Sequence, residues 1–198
     1  MTKLVETKVD RLHPTQITVG MIEVRDKLAE LQGMSKHKRR DFLAARPLPA
    51  VHGADDILYI TDHHHLARAL WEADVEHAFV QTEATLSALD TARFWQSMAE
   101  AHWAHPIDEQ GQRRPFSDIP GHLQQLRDDV YRSLAGYVRE AGGYDKTPTA
   151  FAEFTWANWL RTRVDVGNDY GSFKRAVKQA LVLAHSPQAS HLPGYNSA

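Results

Sequence analysis

From Val19 to Gln32 the apolar residues Met21, Val24, Leu28 and Leu31 recur every three or four positions, with Gly33 next. That spacing lines one face of an α-helix, and the glycine suits its C-terminal cap. Lys36 to Ala45 predicts a second, short helix ended by Arg46-Pro47. Leu48 to His52 and Ile57 to Thr61 read as two strands around the turn Gly53-Ala54-Asp55-Asp56, so a hairpin is expected. Leu66, Ala69, Leu70 and Ala73 then return to helical spacing from His63 onward. Lys8 to Leu12, stopped by Pro14, and His77 to Gln81 complete the predicted strands.

Past residue 85 the pattern becomes almost purely helical. Ser87-Ala88-Leu89-Asp90 offers a cap for a long amphipathic helix carrying Phe94, Trp95, Met98 and Trp103. Prolines between Ala104 and Pro120 predict a loop or small hairpin. Leu123, Leu126, Val130, Leu134, Val138 and Ala141 mark a strong helix ended by Gly142-Gly143. Pro148 opens another with Phe151, Phe154 and Trp159, and Ser172 caps a last one bearing Phe173, Val177, Leu181 and Ala184, before an irregular tail from Ser186. Trp95, Trp103, Trp156 and Trp159 are expected in the core. The whole reads as α+β: a mixed-sheet half, residues 1–85, packed against a helical lobe, residues 86–198.

Composition narrows the chemistry. Cysteine is absent, which removes disulfides, thiolate metal sites and cysteine nucleophiles, and 42% hydrophobic residues suffice for a core. No stretch approaches a membrane span, and the first residues lack an apolar leader, so a cytoplasmic protein without membrane contact is expected. A formal charge of -2 gives no general basis for nucleic-acid binding. Lys36-His37-Lys38-Arg39-Arg40 is a local positive run, which can be a solvated helix face or a phosphate contact.

Chemistry concentrates at Ile60-Thr61-Asp62-His63-His64-His65-Leu66, where an acid and three consecutive histidines meet a strand-to-helix junction. The first turn of a helix leaves backbone N–H groups unpaired at the positive end of its dipole, so anions collect there. Imidazoles can add directed donors, and Asp62 can cap the helix or hold a metal or a proton. Glu23 and Lys27, four apart on one helical face, are either a surface ion pair or a general base beside a phosphate partner. His102 and His105, three apart, could join Asp62 and His65 in a nitrogen and oxygen site for zinc, iron or manganese, or could flank a pocket or cap a helix.

The order strand, Gly-x-x-x-Val-x-x-Lys helix, Pro-x-Pro hairpin and Asp-x-His-His-x-x-x-Ala helix resembles the ParB/sulfiredoxin-like superfamily, and most closely its ParB-like nuclease family. The residues are Pro14-Thr15-Gln16, Gly20, Glu23, Val24, Lys27, Pro47-Leu48-Pro49 and Tyr59 through Ala69. Asp129-Val130-Tyr131-Arg132-Ser133-Leu134, Phe151-Ala152-Glu153-Phe154 and Leu192-Pro193-Gly194-Tyr195 extend the likeness into the helical half. The resemblance implies that Asp62, His64 and His65 hold nucleotide phosphates. ParB proteins carry Gly-Glu-Arg-Arg there, so His64 and His65 fall at arginine positions. The related free serine kinases carry Asp-Gly-His-His-Arg and use a glutamate base, which matches Glu23, while His63 stands for the glycine and Leu66 for the arginine. Sulfiredoxin activity requires a cysteine and is excluded.

The function expected is a phosphate-handling enzyme, a nucleotide-dependent phosphotransferase or a phosphodiester hydrolase, with its cleft between the two halves. Glu23, His64 and His65 are its candidate catalytic residues; Lys27, Asp62 and His63 would bind a nucleotide such as ATP, ADP or CTP, with Mg²⁺. A phosphorylated small molecule would also suit. Two other classes stay open: a nucleotide-gated DNA-binding module using Lys36 to Arg40, and a histidine-metal enzyme acting on a small molecule.

Overall fold

Strand β4 (Leu48–His52) buries residues on both of its sides: Leu48 and Ala50 lie in one apolar cluster and Val51 in another. Side chains alternate across a strand, so a sheet built on β4 must be covered on each face. The computed structural model describes residues 4–167 and 169–197. It shows a five-stranded mixed sheet in the order β1-β6-β4-β5-β2, with β1 (Leu4–Lys8), β2 (Leu12–His13), β5 (Leu58–Ile60) and β6 (His77–Thr85). The β4–β5 pair is antiparallel, as expected of the hairpin, and β5 pairs in parallel with β2, placing His13 opposite Tyr59.

Helices α1 (Met21–Gln32) and α3 (His64–Glu72) cover one face through Val24, Leu31, Leu66 and Leu70, which share a cluster with Leu48, Ala50 and Ile60. Between them in the chain, α2 (Lys36–Ala44) is capped by the Ser35 hydroxyl, which accepts the Lys38 N–H. Helix α4 (Thr91–Glu100) supplies Phe94 and Met98 to the cluster around Val51. A second, two-stranded sheet pairs β3 (Thr18–Val19) with β7 (Arg127–Asp128) in parallel. Among the described residues no helix is long and apolar enough to cross a membrane.

The α+β architecture matches the sequence pattern, and the differences lie at element ends. Residues 9–11 form a 3-10 turn, because Val9 and Leu12 are both buried three positions apart, a spacing that a turn satisfies and a strand does not. Leu123 and Leu126 keep helical spacing and are buried, yet they belong to a 3-10 turn and the approach to β7, and α5 (Val130–Glu140) begins only after the Asp129 cap. Asp90 rather than Ser87 caps α4, accepting the Arg93 N–H at 2.9 Å. Asp169 rather than Ser172 caps α7 (Tyr170–Ala184), accepting the Ser172 N–H at 2.9 Å. A short acidic side chain reaches the N–H three residues on, and here it outcompetes the nearby serine.

The chain divides into two compact units: residues 1–108 with 112–128, and residues 109–111 with 129–198. The first therefore includes α4 along with the sheet. The second is helical, with α5, α6 (Ala152–Arg161) and α7. The motifs singled out in its sequence are structural. Glu153 pairs with Arg139 and faces buried Arg132, whose guanidinium lies 3.5 Å from the Phe154 ring centre. Trp156 stacks on Tyr144 at 4.3 Å and donates its indole N–H to the Pro193 carbonyl at 2.8 Å. Gly194 has a φ of 74°, and a Cβ there would stand 2.2 Å from the Asp145 carbonyl oxygen.

Candidate active site at the start of helix α3

The chain leaves β5 at Ile60 and turns into α3 through Asp62 and His63. The Asp62 carboxylate accepts the His63 N–H at 2.6 Å, and His63 takes a left-handed conformation with φ 61°. Asp and His tolerate that region better than branched residues do. Both side chains are exposed.

His64 and His65 turn inward and are only 2% and 9% exposed. The Thr15 N–H donates to His64 Nε2 at 3.1 Å, while the Thr15 hydroxyl, 3.2 Å from the same nitrogen, donates to the Ile60 carbonyl at 2.8 Å. The Gly20 N–H donates to His65 Nε2 at 2.9 Å. A nitrogen that accepts an N–H carries no proton of its own, so both rings are neutral at Nε2 with the proton on Nδ1. His65 Nδ1 lies 3.7 Å from Glu23 Oε1, and the Lys27 ammonium is also 3.7 Å from that oxygen.

These contacts correct the role expected of the inner histidines. Their Nε2 atoms are spent on the backbone of residues 15 and 20, so from those atoms they cannot act as the directed phosphate donors that three adjacent histidines suggest. They pin the Pro14–Gly20 segment and the start of α1 against α3. Glu23, whose side chain is 12% exposed, faces the Nδ1 side of His65, where its carboxylate favours the proton that the Gly20 contact already places on that nitrogen.

The start of α1 is closed by a second group that sequence reasoning missed. The Asp128 carboxylate accepts the Met21 N–H at 2.9 Å. Arg68 holds the segment leading to Asp128: one of its nitrogens donates to the carbonyls of Leu123, Gln124 and Leu126 at 3.1, 2.8 and 2.9 Å, while the rest of its fork grips Glu72. Asp128 carries no motif that could have flagged it. Thr15 was visible only as part of Pro14-Thr15-Gln16.

His63 at the N-cap of α3 makes no side-chain cap bond, as is also true of Gly20 at α1 and Phe151 at α6, whereas α2, α4, α5 and α7 each have one. The positive end of the α3 dipole lies beside the exposed Asp62 and His63.

The proposed metal set does not come together. Among the described residues no group of three or more His, Asp or Glu side chains is placed to hold a metal ion, so Asp62, His65, His102 and His105 do not form one. The reason is local. Helix α4 ends at Glu100, His102 takes a left-handed turn with φ 57°, and the His105 N–H then bonds the Thr15 carbonyl at 3.0 Å. The pair never shares a helical face.

The basic run on α2 is partly consumed as well. Arg40 forms a two-pronged pair with Glu6 at 2.5 and 3.1 Å and lies 5.0 Å from the Phe79 ring centre. His37 faces Asp41 at 3.6 Å, leaving Lys36 and Lys38 exposed.

His13, on β2, lies with its ring 5.7 Å from that of His122. Burial, aided by the neighbouring His122, holds the His13 imidazole below its ordinary value of 6.5. The unfolded chain therefore binds more protons than the folded one just below that value, and stability rises with pH through this window. Acidification from neutrality through about 6.5 and below should weaken the fold. His13→Gln should flatten that slope, as read by urea unfolding at several pH values.

Three comparisons place this geometry. The fold is similar to the crystal structure of protein Atu1540 from Agrobacterium tumefaciens, at 42% identity and a TM-score of 0.91, over 99% of this chain and 97% of that one. No curated protein matches the chain. The model of the family described as "Putative ParB-like nuclease" matches residues 5–162. With the α3 junction inside that match, the chain belongs to the ParB-like nuclease family.

Proposed function

We propose that this protein cleaves phosphodiesters at the open start of α3. The observation that carries the reading is the uncapped first turn of α3 entered through exposed Asp62 and His63, held in place by buried His64 and His65. The helix N-terminus would receive the phosphate oxygens. His63 has no side-chain partner among the described residues, so its imidazole is available to move a proton to or from the reacting oxygen. Asp62 uses one oxygen on the His63 N–H and keeps the other for solvent or for Mg²⁺. Mg²⁺ is commonly held by one or two carboxylates together with substrate phosphate, so Asp62 fits as its protein ligand, and the ion would neutralise phosphate charge. Glu23, His64 and His65 act as positioning residues in this reading, and Lys27 adds positive charge beside Glu23.

Hydrolysis is favoured over phosphotransfer by two positions. Leu66 is 7% exposed and part of the core, so the side chain where the serine kinases carry an arginine is apolar here and faces inward. His63 adds a side chain where those enzymes have glycine. The test is a panel of single-stranded DNA, duplex DNA and bis(4-nitrophenyl) phosphate with Mg²⁺ or Mn²⁺. Metal-dependent cleavage of at least one is expected. ATP-dependent phosphate transfer with no diester cleavage would replace this reading by the phosphotransferase one.

A further inference from the structure

A groove away from the α3 junction has a chemistry of its own. Two cavities of about 340 and 260 Å³ share Val9, Asp10 and Trp71 in their walls and so adjoin along one stretch of surface. The first continues to His122 and Gln124; the second continues to Asp74, Val75 and Glu76. Trp71 is 36% exposed, unusual for the largest apolar side chain, and the guanidinium carbon of Arg68 lies 5.5 Å from its ring centre.

The charge along the groove is negative. Asp10 and Asp74 have no side-chain hydrogen-bond or ion-pair partner among the described residues, and Glu76 has only a 3.8 Å approach to His77. Lys8 is the opposing charge in the same wall. The carboxylates do not converge: among the described residues no three acids or histidines are close enough to share a metal ion. Separated negative charges along an apolar floor of Val9, Trp71 and Val75 call for a long cation. Its methylenes would lie on the apolar floor, and its ammonium groups would reach Asp10 at the centre and Asp74 with Glu76 at one end. The combined size lies within the usual range of small-ligand sites.

We infer that the groove over Trp71 binds a linear aliphatic polyamine. This does not rest on the phosphodiester reading, and either can fail alone. The test is calorimetric titration of the full chain with spermidine at roughly physiological salt, where loose counterion effects are screened. Saturable one-site binding is expected, weakened about fivefold or more by each of Trp71→Ala, Asp10→Asn and Asp74→Asn. All three side chains sit at the surface of the groove, and circular dichroism would confirm that the variants stay folded. Mg²⁺ at matched ionic strength should not displace spermidine. Equal affinity in the variants, displacement by Mg²⁺ on equal terms, or binding of a lysine-containing peptide without spermidine binding would each overturn the inference.

Discussion

His65→Ala is expected to lower folding stability by about 2–4 kcal/mol, and His64→Ala by a similar amount. Each substitution removes the acceptor of a backbone N–H, that of Gly20 or Thr15, and leaves a hole where a buried ring stood. An unsatisfied buried donor costs about 1–3 kcal/mol, and the lost packing adds to it. His65→Gln should recover part of the loss, because its amide oxygen can reach the region of Nε2. Urea unfolding reads the effect as a lower midpoint at unchanged slope. A variant as stable as the parent protein would show that the two rings are not the pins described.

The second large effect falls on turnover. His63→Ala and Asp62→Asn should each reduce phosphodiester cleavage by about 100-fold or more, the scale on which a positioned acid or base contributes. Both side chains are exposed, so stability should stay within roughly 0.5 kcal/mol of the parent. Glu23→Gln should behave in the opposite way. Its carboxylate faces His65 and Lys27, so the substitution should weaken the pin between α1 and α3 while leaving cleavage by the folded fraction within a few fold. Steady-state rates and melting curves on the three variants separate the roles. A Glu23→Gln protein that is stable and inactive would return the base to Glu23.

The elements were legible where burial and period coincide. Met21, Val24, Leu28 and Leu31 announce α1, and the Leu48–Thr61 stretch announces its hairpin, because each pattern has one physical reading. Leu123 and Leu126 show the limit: they are buried for tertiary reasons inside a turn, so the period was real and the helix was not. At the candidate site, the position of Asp62 through His65 between a strand and a helix could be read from sequence, because the apolar pattern changes period there. Which imidazole faces water could not. That depends on Thr15 and Gly20 arriving from a distant segment to offer their N–H groups. Spacing likewise suggested that His102 and His105 share a face, until the left-handed turn at His102 separated them.

The measurement that tests the central claim most directly is a two-dimensional amide NMR titration of the protein with a short single-stranded oligonucleotide and Mg²⁺. The account predicts saturable shifts centred on the backbone N–H groups of His63 to Ala67 and on the His63 ring, abolished in His63→Ala. Shifts gathered instead on Lys36 to Arg40, with the start of α3 unmoved, would contradict it.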